Sequence, residues 1–229
     1  MGERIDLHIH TEESVCSTFS YSELKERIRA LRLHIATATD HGSAKACLKL
    51  KREMSDVLII PGIEVTAQEG DFIVFTADIE YLKTLGAYVG SVKDLRRDEE
   101  TVVIWAHPRI PHRFPWTEPS PQKELIEKVL PLVDAVEIFN GHILEMTAQG
   151  FIMPLYYKNL AEMAESARLA LTAGSDTHDG KSFMKCWTEI EAEVKSELDF
   201  IAAIRSGKTK PNFDAEFYGL DPRALLNGA

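Results

Sequence analysis

The sequence predicts a single α/β domain over residues 1–229, and three observations carry that expectation. Apolar runs of strand character alternate with segments of helical character at least six times. No internal repeat, low-complexity run or linker interrupts them. Polar or metal-capable residues follow the runs ending near positions 8, 40, 64, 106, 138 and 173, always on the carboxyl side. A closed βα barrel gathers such strand ends into one bowl, whereas a doubly wound open sheet builds its site from about two strands at a switch point. Six contributing strands favour the barrel.

Composition narrows the classes. The apolar fraction of 45% suits a chain with a sizeable core, and 229 residues are enough for one barrel-sized domain. The first apolar run starts by Arg4, which leaves no room for a cleaved leader, and no apolar run reaches the roughly 18 residues of a membrane span. The expectation is a cytoplasmic protein without a membrane partner. Cys16, Cys47 and Cys186 are too few and too widely spaced for a disulfide framework or a thiolate zinc site. The formal charge is −10, from 36 acidic against 26 basic residues. Such a balance disfavours long duplex nucleic acid, which needs a basic face. A small phosphorylated partner remains compatible, because bound divalent cations reverse the local field.

In chain order, the first strand ends in Asp6-Leu7-His8-Ile9-His10-Thr11. Its apolar residues alternate with Asp6, His8 and His10, so both imidazoles fall on one face two residues apart. Paired imidazoles at a strand end make half of a coordination shell for a divalent metal. Ser22 is expected to cap a helix reaching about Leu31. The run His34 to Thr39 is a buried strand ending at Asp40-His41-Gly42, and residues 43 to 54 are helical in pattern. Val57 to Ile60 opens a strand running to Glu64, a carboxylate that would need a charged partner in a core. Asp71 to Phe75 is a short strand, and residues 80 to 98 are polar and helical in pieces.

Val102 to Ala106 is a buried strand stopped at His107-Pro108, since proline cannot continue a ladder. Residues 109 to 121 hold four of the ten prolines together with Arg109, His112 and Arg113, and make a long loop. A helix from about Gln122 leads to a strand from Val133 to Phe139, carrying Glu137 and ending at Asn140-Gly141. Tyr156 to Ala167 is helical, and the strand Leu169 to Ala173 ends in Gly174-Ser175-Asp176-Thr177-His178. Trp187 to Val194 forms one more strand, and Ser196 to Arg205 is the last clear helix. Beyond Lys210 no pattern is readable.

These motifs, with Pro61-Gly62-Ile63-Glu64, Ala106-His107-Pro108 and Val136-Glu137-Ile138-Phe139-Asn140-Gly141, resemble in order and register those of the polymerase and histidinol phosphatase (PHP) superfamily. The resemblance covers positions 5 to about 180, and residues 181–229 resemble the PHP-associated C-terminal segment. It implies a distorted TIM-like barrel of about seven strands with two or three divalent metals, manganese, zinc or iron. Carried over motif by motif, His8, His10, Glu64 and Asp176 would hold one metal. Glu64 would bridge to a second, also bound by His107, and His41 and His178 would hold a third. Two positions depart from the pattern. Val15 stands where members supply another ligand to the third metal, a gap that Glu12, Glu13 or water would fill. Asp71 stands nearest to a position where members carry histidine, and it is either a substitute ligand or a turn residue.

The implied activity is hydrolysis of a small phosphomonoester, such as a nucleotide, a nucleoside bisphosphate or a sugar or amino-alcohol phosphate, by a metal-activated hydroxide. Asp40, His41, Glu64 and His178 are the expected catalytic set, with Asp40 orienting His41 or His178. Arg109 and Arg113 are candidates to grip phosphate bidentately, and His112 and His142 are possible general acids. Two alternatives stay open: cleavage of short oligonucleotides, and a metal-binding module without turnover. No Gly-x-Gly-x-x-Gly follows a strand and no serine elbow is present, which sets aside a dinucleotide-binding or acyl-transfer site.

Overall fold

The computed structural model describes residues 2–108 and 121–228. Its hydrogen-bonded strands form three sheets in a mixed α/β fold, and the described residues do not make one continuous closed ladder. The largest sheet has the order β4-β5-β6-β7-β8, from β4 (Gly62–Ala67), β5 (Gly70–Thr76), β6 (Thr101–Trp105), β7 (Ala135–Asn140) and β8 (Ala170–Gly174). Pairing is antiparallel from β4 to β6 and parallel from β6 to β8. A second sheet pairs β2 (Ile35–Ala36) with β3 (Leu58–Ile59) in parallel. In the third, β9 (Cys186–Ile190) lies between β1 (Glu3–Ile5) and β10 (Thr209–Phe213), antiparallel to both. Single parallel bridges tie sheet ends together, Ile9 to Thr177 and His41 to Glu64.

Strands buried on both faces read as nearly continuous apolar runs, and β5 shows why. Its Phe72 and Val74 enter one core cluster with Ile63, Val65, Val103 and Val136. The alternate residues Ile73 and Phe75 enter another with Ile5, Ile35, Val102 and Ile104. Helix α7 (Glu197–Arg205) closes that second cluster with Phe200, Ile201 and Ile204, and Phe200 meets Phe75 edge to face at 5.3 Å. Burying a side chain such as Phe200 contributes about 2–3 kcal/mol. Asp71 lies on the same face of β5 as Ile73 and Phe75, at the other end. That face is thus apolar against α7 and polar at its opposite end, where the candidate site forms.

Helix α1 (Tyr21–Ala30) buries Tyr21, Leu24 and Ile28, and it is capped by Ser20, whose hydroxyl accepts from Glu23 N at 3.2 Å, not by Ser22 as the sequence suggested. The serine capping its third backbone amide lies two residues earlier than expected. Helices α2 (Lys45–Glu53), α4 (Pro121–Val129) and α6 (Leu155–Ser166) fall close to their expected places, as does α7 behind its cap Ser196. Residues 80 to 98 hold α3 (Ile79–Thr84) and a single 3-10 turn at Val92–Asp94. Helix α5 (Gly141–Ala148) starts at Asn140, whose side chain accepts from Ile143 N at 3.1 Å. Beyond Lys210 the chain completes β10 and adds α8 (Ala215–Tyr218) and α9 (Pro222–Asn227), structure that single short elements do not announce by periodicity. No helix among the described residues is long and apolar enough to cross a membrane. The three cysteines are free, Cys16 exposed and the other two buried.

Candidate metal centre

The residues after β1 run between two neighbours. His10 N donates to Thr177 O at 3.1 Å and Asp176 N to His8 O at 2.8 Å on one side, while Thr39 N donates to Ile9 O at 2.9 Å on the other. Held as a central strand, the alternation turns His8 and His10 to one face, both fully buried. Their Nε2 atoms lie 3.0 Å apart. On the next strand, Glu64 N donates to Asp40 O at 3.2 Å and Gly42 N to Glu64 O at 2.9 Å, which carries the Glu64 side chain under the same pair.

The ligand-type atoms converge. Glu64 Oε2 lies 2.8 Å from His41 Nδ1, 3.2 Å from His10 Nε2 and 3.4 Å from His8 Nε2, while Oε1 lies 3.3 Å from His107 Nε2. Asp176 Oδ1 stands 3.1 Å from His10 Nε2 and 3.5 Å from His8 Nε2. Four groups of residues bring one ligand atom each within 4.8 Å of one another: His8, His10 and Glu64; His8, His107 and Asp176; Glu64, Asp71 and His107; and His10, His41 and His178. Among the described residues, both Glu64 oxygens and Asp176 Oδ1 are buried without a hydrogen bond of good geometry, although ring nitrogens surround them. Buried carboxylate oxygens are normally satisfied, and the donor set of imidazoles and carboxylates suits a divalent transition ion. The residues fit a metal.

Electrostatics leads to the same conclusion. Burial disfavours a charged His8, yet the carboxylates of Asp176, Glu137 and Glu64 outweigh it and raise its pKa well above the ordinary value. Burial likewise opposes protonation of His107, and Glu64 and Asp176 still push it up to about 9. Against the cost of burial, His8, His10, His107 and His41 hold the Glu64 carboxyl well below the usual range, and His8 and His10 do so for Asp176. The cluster therefore demands positive charge, which protons or a cation can supply. His178 departs from the others, since burial and the neighbouring His10 lower its pKa. Its Nδ1 donates to Asp176 O at 2.8 Å, which leaves Nε2 with its lone pair.

Two further carboxylates brace the rings. Glu137 Oε1 accepts from His8 Nδ1 at 3.1 Å, and Oε2 accepts from His107 N at 2.8 Å and Asn140 Nδ2 at 3.0 Å. Asn140 Nδ2 also reaches Asp176 Oδ2 at 3.2 Å. Sequence reasoning placed Glu137 at a strand end without giving it this task; a buried glutamate beside Asn-Gly was the available signal. Asp6, pushed up to about 7 by burial, accepts from Ser175 N at 2.8 Å and Met184 N at 2.9 Å and pins the Asp176 turn. His107 and Asp176 both have positive φ, 23° and 51°, so two cluster residues sit in backbone conformations that L-residues rarely adopt.

Asp40 touches neither His41 nor His178. Its carboxylate accepts from Thr11 N at 2.6 Å, Thr11 Oγ1 at 2.8 Å and Ser14 Oγ at 2.7 Å. Ser14 Oγ in turn meets His10 Nδ1 at 3.2 Å, so Asp40 bears on His10 through that hydroxyl. Asp71 is no turn residue. It lies within β5, accepts from Thr66 Oγ1 at 2.7 Å, and brings Oδ2 to 4.0 Å from His107 Nδ1. Val15 is fully exposed. Neither glutamate expected to replace it joins the cluster: Glu12 accepts from Tyr21 N and Glu13 pairs with Lys45. The third member beside His41 and His178 is His10. His142 is exposed on α5. Arg109, His112 and Arg113 lie outside the described residues.

The chain is an α/β protein whose strands end in a buried imidazole and carboxylate cluster capable of binding metals. Residues 159–209 match the family described as PHP-associated. No curated protein sequence matches the chain. Several solved structures share the fold, among them the following three. A two-domain protein from Bacteroides vulgatus ATCC 8482, described as containing a predicted PHP-like metal-dependent phosphoesterase, is 17% identical with a TM-score of 0.62 over 93% of this chain. The chain spans 65% of that protein's length. PsfC from Pseudomonas syringae PB-5123 is 19% identical with a TM-score of 0.63, over 100% of this chain and 97% of its own. An amidohydrolase from Chromobacterium violaceum, with bound sulfate and no metal, is 14% identical with a TM-score of 0.52, over 93% and 99%. The chain thus carries a PHP-associated segment at residues 159–209 and shares its fold with structures that include a predicted PHP-like metal-dependent phosphoesterase.

Proposed function

We propose that the chain is a metal-dependent phosphoesterase hydrolysing a small phosphomonoester to an alcohol and inorganic phosphate. The observation that carries the reading is the position of Glu64, whose two buried oxygens face four imidazoles, His8, His10 and His41 on one and His107 on the other. A carboxylate so placed is suited to bridge two divalent ions, with His8, His10 and Asp176 completing one site and His107 and Asp71 the other. His41 and His178 with His10 would hold a third. When bound, the ions supply Lewis acidity to phosphoryl oxygens and make a water nucleophilic near neutral pH.

The chain's own groups do the rest. Glu137 accepts a hydrogen bond from Nδ1–H of His8, which holds the proton there and leaves the Nε2 lone pair turned to the cluster. The His178 contact to Asp176 O fixes the same tautomer there. The side chains of His41 and His178 are 39% and 36% exposed, against none for His8 and His10, so the substrate enters on their side. Arg109 and Arg113 are proposed as phosphate grips on their chemistry alone.

The test is metal content beside manganese-dependent phosphate release from nucleotides, bisphosphates and sugar phosphates, for the wild type, His10→Ala and Glu64→Ala. Bound metal and release that both substitutions abolish support the reading. Metal bound by the wild type with no release from any ester overturns it, and cleavage of short oligonucleotides alone would move the activity to phosphodiesters.

A further inference from the structure

We propose that Tyr88 is a stacking platform for the organic part of the substrate, and hence that the phosphate ester carries a planar aromatic group such as a nucleobase. The inference rests on the phosphoesterase reading and adds the substrate class. Residues 87–89 run beside β4 in one isolated parallel bridge of Thr66 with Tyr88: Thr66 N donates to Ala87 O and Val89 N to Thr66 O, both at 2.9 Å. Bridged partners project to the same side of a sheet, and residues two apart on a strand share a face. Tyr88 therefore lies on the face of Thr66 and Glu64, in a row with Thr66 and its cross-strand partner Asp71. A diagonal neighbour in such a sheet stands roughly 7–8 Å away, about the distance from a phosphorus atom to the base of a nucleotide.

The segment has little freedom. A Cβ on Gly42, next to His41, would come within 2.3 Å of Ala87 N, so the turn that carries His41 packs directly on the backbone that carries Tyr88. Yet Tyr88 is 63% exposed. Among the described residues its hydroxyl makes no hydrogen bond and its ring stacks on no other ring. An open aromatic face on a backbone packed against the His41 turn, beside the metal-capable cluster, suits base stacking, which needs no hydrogen-bond partner.

The experiment compares adenosine 5′-monophosphate with ribose 5-phosphate, which share phosphate and sugar and differ in the base, by calorimetric titration of manganese-loaded wild type, Tyr88→Ala and Tyr88→Phe. Phosphate release from both is followed in parallel. The expected result is that the wild type binds the nucleotide about tenfold more tightly than the sugar phosphate, that Tyr88→Ala loses this preference and that Tyr88→Phe keeps it. Equal binding of the two by the wild type, or an unchanged preference in Tyr88→Ala, overturns the stacking role and leaves the phosphoesterase reading standing. Neither binding nor release with either compound overturns both.

Discussion

His8 and Glu137 stand 129 residues apart in sequence, and Nδ1 of the first meets Oε1 of the second at 3.1 Å with both side chains buried. This contact fixes the ring at the centre of the cluster, and the other Glu137 oxygen fixes the backbone of His107.

Glu137→Gln should therefore weaken metal binding without removing a ligand. The amide retains one oxygen to serve either His8 Nδ1 or the pair His107 N and Asn140 Nδ2, and its NH2 then faces the donors left over. An affinity loss of about 10- to 100-fold is expected, as for other residues that orient metal-bound imidazoles. Competitive titration against a chelating dye measures it, and unchanged affinity would rule out the bracing role.

Gly174→Ala tests how tightly His8 is enclosed. A Cβ there would stand 2.4 Å from His8 Cβ and 2.6 Å from His8 N, and backbone on a central strand cannot yield. The cost is about 2 kcal/mol, or roughly 4–8 °C in Tm for a chain of this size. Metal content should fall with it. Thermal melts and elemental analysis of the same sample would show both effects, and a variant with wild-type melting and metal would refute the enclosure.

Asp40→Ala removes the acceptor of three hydrogen bonds from Thr11 and Ser14. Leaving buried donors unpaired costs about 1–3 kcal/mol. The Thr11 amide should exchange faster with solvent, and His10, steadied through Ser14, should hold metal less firmly. Hydrogen exchange at Thr11 decides the point, because a role confined to His41 or His178 would leave that amide protected.

The metal-free protein should lose stability as the pH rises. His107 has a pKa of about 9 in the fold against 6.5 ordinarily, so the fold favours its protonated form. That contribution, about 3 kcal/mol, is fully present below pH 6.5 and disappears as the pH rises through 9. A divalent ion takes the place of the protons, so metal retention should tighten over the same window. Urea unfolding with and without chelator at pH 6.5 and 9 tests both signs, and stability rising with pH in chelator would contradict the assignment.

What could be read from the sequence was local. The alternation in residues 5–10 puts His8 and His10 on one face, and the proline after His107 marks where that strand stops. Both depend on a few adjacent residues, and the structure has them as expected. The tasks of Glu137 and Asp40 depend on which distant backbone amides and hydroxyls they meet, and no spacing encodes that. The pairing of β9 with β1 and β10 was equally hidden, since β10 carries Lys210, Pro211 and Asn212 and lacks an apolar alternation. Ser20 and Ser22 are chemically equivalent caps, and the contact of Tyr21 and Leu24 with the core selects between them.

The placement of β1 has a consequence for the order in which the molecule is made. Glu3 to Ile5 find their ladder partners at Thr188 to Ile190, and Asp6 is held by Ser175 and Met184. A ribosome releases the His8 and His10 segment first, but these partners emerge more than 160 residues later. Closing so long a loop is slow relative to local helix formation. His8 and His10 can meet the Thr39 and Asp40 segment early, but the nascent chain cannot complete the cluster until residues 175–190 have docked.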